Sequence, residues 1–310
     1  MISRIRDYDY KYLKKRIKRS KYLLLMLLLP VTWYIIFNYI PIYGLLIAFQ
    51  DFNLRLGITG SRWVGLMHFR RFFDHPFFWR LIRNTFLLNL YGLVWGFPMP
   101  IIFALLLNEL RNVYFKRFVQ TVSYLPHFIS TVAVVGMLFM ILSPSVGIVN
   151  QIISAMGGDT IHFLARAEWF RSLFIGSGIW QSMGWGAIIY LAALSGVSEE
   201  IYEAATIDGA TRLQKIRHIS LPSIMPTITI LLIMNVGSMM SSATERVLLM
   251  QSPITFETSD VIGTFVFRMG LGMADFSFGT AVGLFNSVIN LTLLFMANAF
   301  SRKILGNSLW

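Results

Sequence analysis

Apolar residues along this chain come in long unbroken runs, and the polar positions are confined to the segments between them. The runs are 22–48, 84–107, 118–142, 172–194, 224–242 and 279–300, and none contains Asp, Glu, Lys or Arg. A helix needs about 20 mostly apolar residues to cross a bilayer. The pattern therefore predicts an all-α, polytopic membrane protein with about six transmembrane helices. The first run follows a basic stretch, but its apolar core is too long for a signal peptide and no small-residue cleavage pattern follows it. It reads as a retained anchor, bent or broken at Pro30 and Pro41.

Six spans put both termini on one side. Segments sharing the side of the N-terminus carry 17 Lys and Arg, nine of them in residues 1–21, against 10 on the other side. This bias places both termini on the cytoplasmic side. Residues 1–21 read as a basic cytoplasmic arm and 22–310 as one membrane domain. The first outer segment departs from the rule, with Arg55, Arg62, Arg70, Arg71, Arg80 and Arg83 opposed in 49–83 only by Asp51 and Asp74. Interleaved with Trp63, Phe69, Phe72, Phe73, Phe77, Phe78 and Trp79, they predict an interfacial helix or one packed on the bundle. Arginines so placed first suit snorkelling to lipid phosphates; the sharper alternative is contact with an acidic binding protein or an anionic glycan. Residues 148–156 predict a short re-entrant or interfacial helix, and 243–278 a polar outer segment holding Arg246 and Arg268.

Composition agrees with this reading. Of 310 residues, 55% are hydrophobic and 14% charged, where soluble domains carry about a quarter charged residues. The formal charge of +12 then reads as cytoplasmic loops facing lipid head groups, with no nucleic-acid partner. The absence of cysteine excludes disulfides, thiol catalysis, zinc–cysteine sites and iron–sulfur clusters. The histidines His68, His75, His162 and His218 show no metal-ligand spacing, so no metal site is expected. His127, beside Pro126 in the third run, reads as a packing residue.

The segment 195–222, between the fourth and fifth runs, is the most specific part of the chain. Ser198 suits a helix N-cap, and Glu199 and Glu200 fall in the first turn, where acids favour the helix dipole. Gly209 permits a sharp bend, Asp208 caps a second helix, and Lys215, Arg217 and His218 fall near its end. Pro222 opens the next span. The product is a helix–turn–helix on which Ala204, Ala205 and Ala210 leave a flat surface for close approach by another protein. The spacing Glu-Ala-Ala, three residues, Gly, nine residues, Ile, one residue, Leu-Pro is met by Glu203, Ala204, Ala205, Gly209, Ile219, Leu221 and Pro222.

This spaced pattern resembles the signature loop of permease subunits of binding-protein-dependent ABC importers. Supporting stretches at 124–128, 147–150, 179–184, 190–193, 202–205 and 207–210 resemble the sugar-importing, maltose-like branch, and within it the lipoprotein-B-type polysaccharide permeases. The likeness runs over roughly residues 60–300. It implies the type I importer permease fold and transport of an oligo- or polysaccharide, anionic ones such as alginate included. It further implies a loop (Glu203, Ala204, Ala205, Asp208, Gly209, Ala210, Ile219, Leu221, Pro222) that docks into a separate ATPase. The implied partners are a second, homologous permease in a heterodimer, two ATP-binding subunits and an extracytoplasmic solute-binding protein, with the membrane lipid around them. The dipeptide Gly-Lys never occurs, so the chain has no phosphate-binding loop. ATP and Mg are expected on the partner ATPases, and no enzyme activity or cofactor on this chain.

Aromatic faces and amide or hydroxyl groups inside the spans are the candidates for a saccharide path. They are Trp180, Gln181, Ser182, Trp185 and Tyr190 in the fourth run, Asn235, Ser238, Ser241 and Ser242 in the fifth, and Asn286, Ser287 and Asn290 in the sixth. Asn286 and Asn290, four apart, share a helix face. The competing role for each is helix packing through small and polar residues, which is the role expected of Gly184, Gly186, Gly237 and Gly283. A rival reading, an ion-coupled secondary transporter of a small polar solute, would use intramembrane ionisable residues, and the six runs hold no Asp, Glu, Lys or Arg. A membrane-embedded enzyme finds no paired carboxylates or nucleophile–base set.

Overall fold

The computed structural model describes residues 12, 15–17, 19–241 and 244–305. Most of the basic arm 1–21, together with Ser242, lies outside the described residues. Twelve helical segments carry the fold: α1 Lys21–Phe49, α2 Met67–Phe73, α3 Phe78–Asn108, α4 Val113–Phe128, α5 Thr131–Ile141, α6 Ile148–Ala155, α7 Ala167–Leu194, α8 Glu199–Ile207, α9 Arg212–Gly237, α10 Thr244–Met250, α11 Ile262–Gly272 and α12 Phe276–Leu305. Short helical turns fill the connections. The strand content among the described residues is one two-stranded antiparallel ribbon, Gln50 opposite Trp63 and Asp51 opposite Arg62.

Four helices (α1, α3, α9 and α12) are long and apolar enough to cross a membrane, and a fifth span results if the bent pair α4–α5 is counted as one. The fourth apolar run folds as the 28-residue α7. At 1.5 Å per residue it is about 42 Å long, enough to span. Ser177, Gln181 and Ser182 make it less apolar than α1, α3, α9 and α12.

The third run is not one straight span. It breaks by 100° between Phe128 and Thr131. Ile129 is extended, and the Ser130 hydroxyl accepts from the Ala133 N–H, so a new helix is capped in mid-run. In α1 the backbone passes from α through a π turn at Ile35–Tyr39 to 3-10 winding from Ile40, with Pro41 at its start. Pro30 is thus accommodated within the α portion, Pro41 opens the 3-10 portion, and neither interrupts α1. None of the apolar window of α1 is buried within the chain.

Three apolar clusters hold the bundle. One joins Phe72, Phe78 and Leu81 to Phe265, Phe278 and Val282. A second joins Leu88 and Val135 to Phe170, Phe174, Val247 and Val261. The third joins Ile101, Ala104 and Leu105 to Ala187, Tyr190, Leu194 and Ile224. Positions along α3 and α7 advance together, Gly92 facing Ile175, Gly96 facing Ile179 and Gly186 facing Pro100. These two helices therefore run side by side in the same direction. Gly184, Gly186 and Gly237 do serve close packing: a Cβ would fall on the Ser123 carbonyl, 3.1 Å from Pro100 and 2.6 Å from Leu294, respectively. Gly283 has open space around it, contrary to the packing role expected of it.

The first outer segment packs on the bundle through Phe72 and Phe78. Two of its six arginines are answered by acids from far along the chain. Arg71 pairs with Asp275 at 2.7 Å, and Arg80 with Asp260 at 2.9 Å. Arg83 donates to the Glu257 carbonyl. Counting only Asp51 and Asp74 against the six Arg therefore overstates the exposed positive charge. Sequence proximity misses partners some 200 residues away. Asp260 is fully buried and also takes Arg268 at 3.1 Å. The segment 243–278, expected as a polar outer loop, is a folded insert whose Val247, Met250, Val261, Ile262 and Phe265 are buried.

Candidate functional site

Two regions carry candidate chemistry. The first is the turn formed by α8 and the start of α9. The Ser198 hydroxyl accepts from the Glu200 N–H at 3.2 Å, and α8 runs to Ile207. Gly209 then adopts φ +80° with no heavy atom within 4 Å of a would-be Cβ. The turn needs glycine for its left-handed backbone and not for space. Asp208 does not cap the second helix. It sits in the right-handed helical region (φ −68°, ψ −2°) at the end of α8, whereas an N-cap needs extended backbone. Thr211 (φ −70°, ψ 162°) meets that need and forms a capping box with Gln214.

The base of this hairpin is fixed and its tip is bare. Lys215 Nζ donates to Thr206 Oγ1 at 2.8 Å, and the Tyr202 and Ser220 hydroxyls lie 2.9 Å apart. Leu221 packs on the cluster around Ile224 and Tyr190. Ile219 is half-buried, as are Ala205 and Ala210, while Pro222 is exposed at the start of the α helix proper. At the tip, Ile207 is 87% exposed and Leu213 74%. Glu203 and Ala204 are exposed beside them, and Glu203 makes no ion pair among the described residues.

The second region is a cavity of about 580 Å³ between α3, α7, α9 and α10. Trp185, Tyr190, Asn235 and Ser238 line it, with Ser182, Asn89 and Arg246. His127 stacks on Trp185, ring centroids 4.6 Å apart and planes 2° from parallel. That stack fixes the indole that faces the cavity. Gln181 stands behind the wall: its Nε2 donates 2.7 Å to the Ile129 carbonyl at the α4–α5 break, and its Oε1 accepts from Arg246 Nη2.

The other path candidates lie elsewhere. Trp180, five residues from Trp185, points to a separate apolar recess with Val134, Met137 and Ile141. Asn290 donates to Ser241 Oγ and accepts from the Met240 N–H, both at 2.8 Å, and so fastens the chain beyond α9 to α12. Asn286 is half-buried, with its Oδ1 unbonded among the described residues. Asn89 and Arg246 were not among the sequence candidates. Asn89 carries the same signal as the others, an amide inside a span. Arg246 carries none, because its segment reads as an outer loop until α10 folds back against α7.

Residues 96–306 match the family model described as binding-protein-dependent transport system inner membrane component. The polygalacturonan/rhamnogalacturonan transport system permease protein YteP of Bacillus subtilis is 44% identical over 94% of this chain and 91% of its own length. Protein LplB of the same organism is 43% identical over 93% and 90%. A subunit in the crystal structure of a bacterial alginate ABC transporter, in complex with an alginate pentasaccharide-bound periplasmic protein, superposes with TM-score 0.87 at 42% identity, covering 95% of this chain and 99% of that one. With a family model covering two thirds of the chain, relatives above 40% identity along nearly its whole length, and an all-α bundle of apolar helices, this multi-pass membrane protein belongs to the family of binding-protein-dependent transport system inner membrane components, the permease subunits of ABC importers.

Proposed function

We propose that this chain forms one half of the membrane path of an ATP-driven importer for an oligo- or polysaccharide, and that the 195–222 hairpin couples it to a separate ATPase. The observation that carries the coupling reading is the contrast within that hairpin. The hairpin is fixed by Lys215–Thr206, Tyr202–Ser220 and the packing of the half-buried Leu221, while Ile207 and Leu213 stand exposed at its tip. A rigid lever with an apolar tip transmits a rigid-body movement to the helices that follow it. In this reading Glu203, Ala204, Ala205, Asp208, Gly209 and Ala210 face the ATPase, and Ile219, Leu221 and Pro222 tie the lever to α9. Two such ATPases hold ATP and Mg, a homologous permease supplies the other half of the path, and an extracytoplasmic binding protein delivers the saccharide. The hairpin and both termini lie on the cytoplasmic side of a bacterial inner membrane, as the Lys and Arg bias supports.

The saccharide reading rests on the cavity. Trp185 and Tyr190 offer aromatic faces to sugar rings, and Asn89, Asn235 and Ser182 offer hydrogen bonds to hydroxyls. The relatives named for polygalacturonan/rhamnogalacturonan and for alginate transport support that class. The test uses the cysteine-free background. Ala204→Cys in membranes holding the assembled importer is expected to crosslink to a cysteine on the ATPase, with a yield that changes when ATP and Mg are added. A cysteine modified only from outside would overturn the topology. One reached from the cytoplasm that never meets an ATPase would overturn the coupling.

A further inference from the structure

Arg246 is the one cation among the residues lining the cavity, and its setting is that of a charge waiting for a partner. Its guanidinium lies over the Phe174 ring at 5.8 Å. Gly178 leaves room for it, since a Cβ there would stand 2.6 Å from Nη1. Nη2 donates to the neutral Gln181 Oε1, and Nε is buried with no partner. No carboxylate comes within 4 Å of it among the described residues. The only acid acting on it is the adjacent Glu245, whose field opposes the lowering of its pKa by burial. A partly desolvated charge without a counter-ion is costly. Of the other half-buried arginines, Arg80 and Arg268 are answered by Asp260, and Arg171, away from this cavity, donates to the Asn84 amide.

We propose that Arg246 reads a carboxylate: it makes this cavity selective for saccharides bearing uronate groups, with Trp185 and Tyr190 taking the ring faces. This rests on the reading that a saccharide passes here. Guanidinium presents a planar fork that a carboxylate can meet with two parallel hydrogen bonds. Phe174, Gly178 and Gln181 hold that fork in place, and Gln181 fixes its orientation from behind. A neutral sugar offers no group to compensate the charge.

Ser182 lines the cavity one helical turn from Gly178, so Ser182→Cys is a reporter beside the guanidinium. In the assembled importer, its modification by anionic ethylsulfonate and cationic trimethylammonium methanethiosulfonates reads the local charge. The anionic reagent is expected to be favoured, and R246Q to lower the anion-to-cation rate ratio roughly tenfold. Trigalacturonate should protect the cysteine and maltotriose should not, and R246Q should abolish that difference. R246K, which keeps the charge and loses the fork, should keep the reagent ratio and weaken protection by trigalacturonate. An unchanged reagent ratio in R246Q, or equal protection by both trisaccharides with Arg246 present, overturns the proposal. A ratio that does depend on Arg246, with protection by neither trisaccharide, would instead sink the saccharide reading and leave an anion site.

Discussion

Replacing Asp260 by Asn tests what holds the outer part of the molecule to the spans. The carboxylate is fully buried and receives Arg80 Nη2 at 2.9 Å and Arg268 Nη2 at 3.1 Å from both oxygens. Its backbone carbonyl accepts from Asn84 Nδ2 at 3.2 Å, and Asn84 Oδ1 in turn accepts from Arg171 at 3.1 Å. One residue therefore ties α3, α7 and α11 together. Asn keeps the shape and removes the charge, leaving two guanidiniums facing an amide. Breaking a buried pair costs about 3–5 kcal/mol. The Arg80 and Arg268 side chains retain 26% and 29% exposure, so water recovers part of that and the lower end, about 3 kcal/mol, applies. At about 2–4 °C per kcal/mol for a chain of this size, D260N should lower the melting temperature by about 6–12 °C. The assay is fluorescence-detected size exclusion of detergent-solubilised protein after a temperature series. The triple variant R80M/D260L/R268M should recover most of the loss, since it leaves no buried charge behind. A D260N melting point within about 2 °C of the parent would refute the reasoning, because the measured shift would then fall below that of an ordinary surface pair.

Three further outcomes follow from the geometry. Gly209→Ala meets no steric obstacle, so its cost is that of φ +80° alone, about 1 kcal/mol; transport-coupled ATP hydrolysis should fall partially in G209A, more in G209V and least in G209N. Gly184→Ala places a Cβ on the Ser123 carbonyl, so α7 must shift from α4 at a cost of about 1–3 kcal/mol, read as a lower melting temperature, while Gly283→Ala in open space should be silent. His75 has its pKa lowered by burial and by Arg71, Arg268 and Arg80, against Asp260, and its Nδ1 accepts from the Phe77 N–H at 3.2 Å. The unfolded chain therefore binds the proton first, so stability should decline as pH falls below about 6.5 toward the depressed folded value; H75Q should flatten that part of a melting-temperature profile, and an unchanged slope would assign it to other groups.

Local signals made much of the fold legible. Six charge-free apolar runs announce a helical membrane protein, because a bilayer leaves no other way to satisfy the backbone of such segments. The spacing around Glu203, Gly209 and Pro222 marks the hairpin, because cap, bend and span entry are each written in neighbouring residues. The cap is the exception: residue type favours Asp208, and the backbone dihedrals put it at Thr211 instead. Of the twelve path candidates, Ser182, Trp185, Tyr190, Asn235 and Ser238 share one cavity, while Trp180, Gln181, Asn286 and Asn290 face elsewhere. Polarity inside a span shows that a side chain needs a partner, and only packing shows whether that partner is a neighbouring helix or the contents of a cavity.

The sequence by itself determined the class of molecule, the apolar runs, the hairpin and the family likeness, since each depends on residues within one helix or one turn. The tertiary structure alone decided the 100° break of the third run, the pairing of Arg71 and Arg80 with Asp275 and Asp260, and the arrival of Arg246 in the cavity wall. The ion pairs and the placement of Arg246 are contacts between segments up to some 200 residues apart. Their partners are chosen by how the helices pack, and that choice leaves no mark on local spacing or composition.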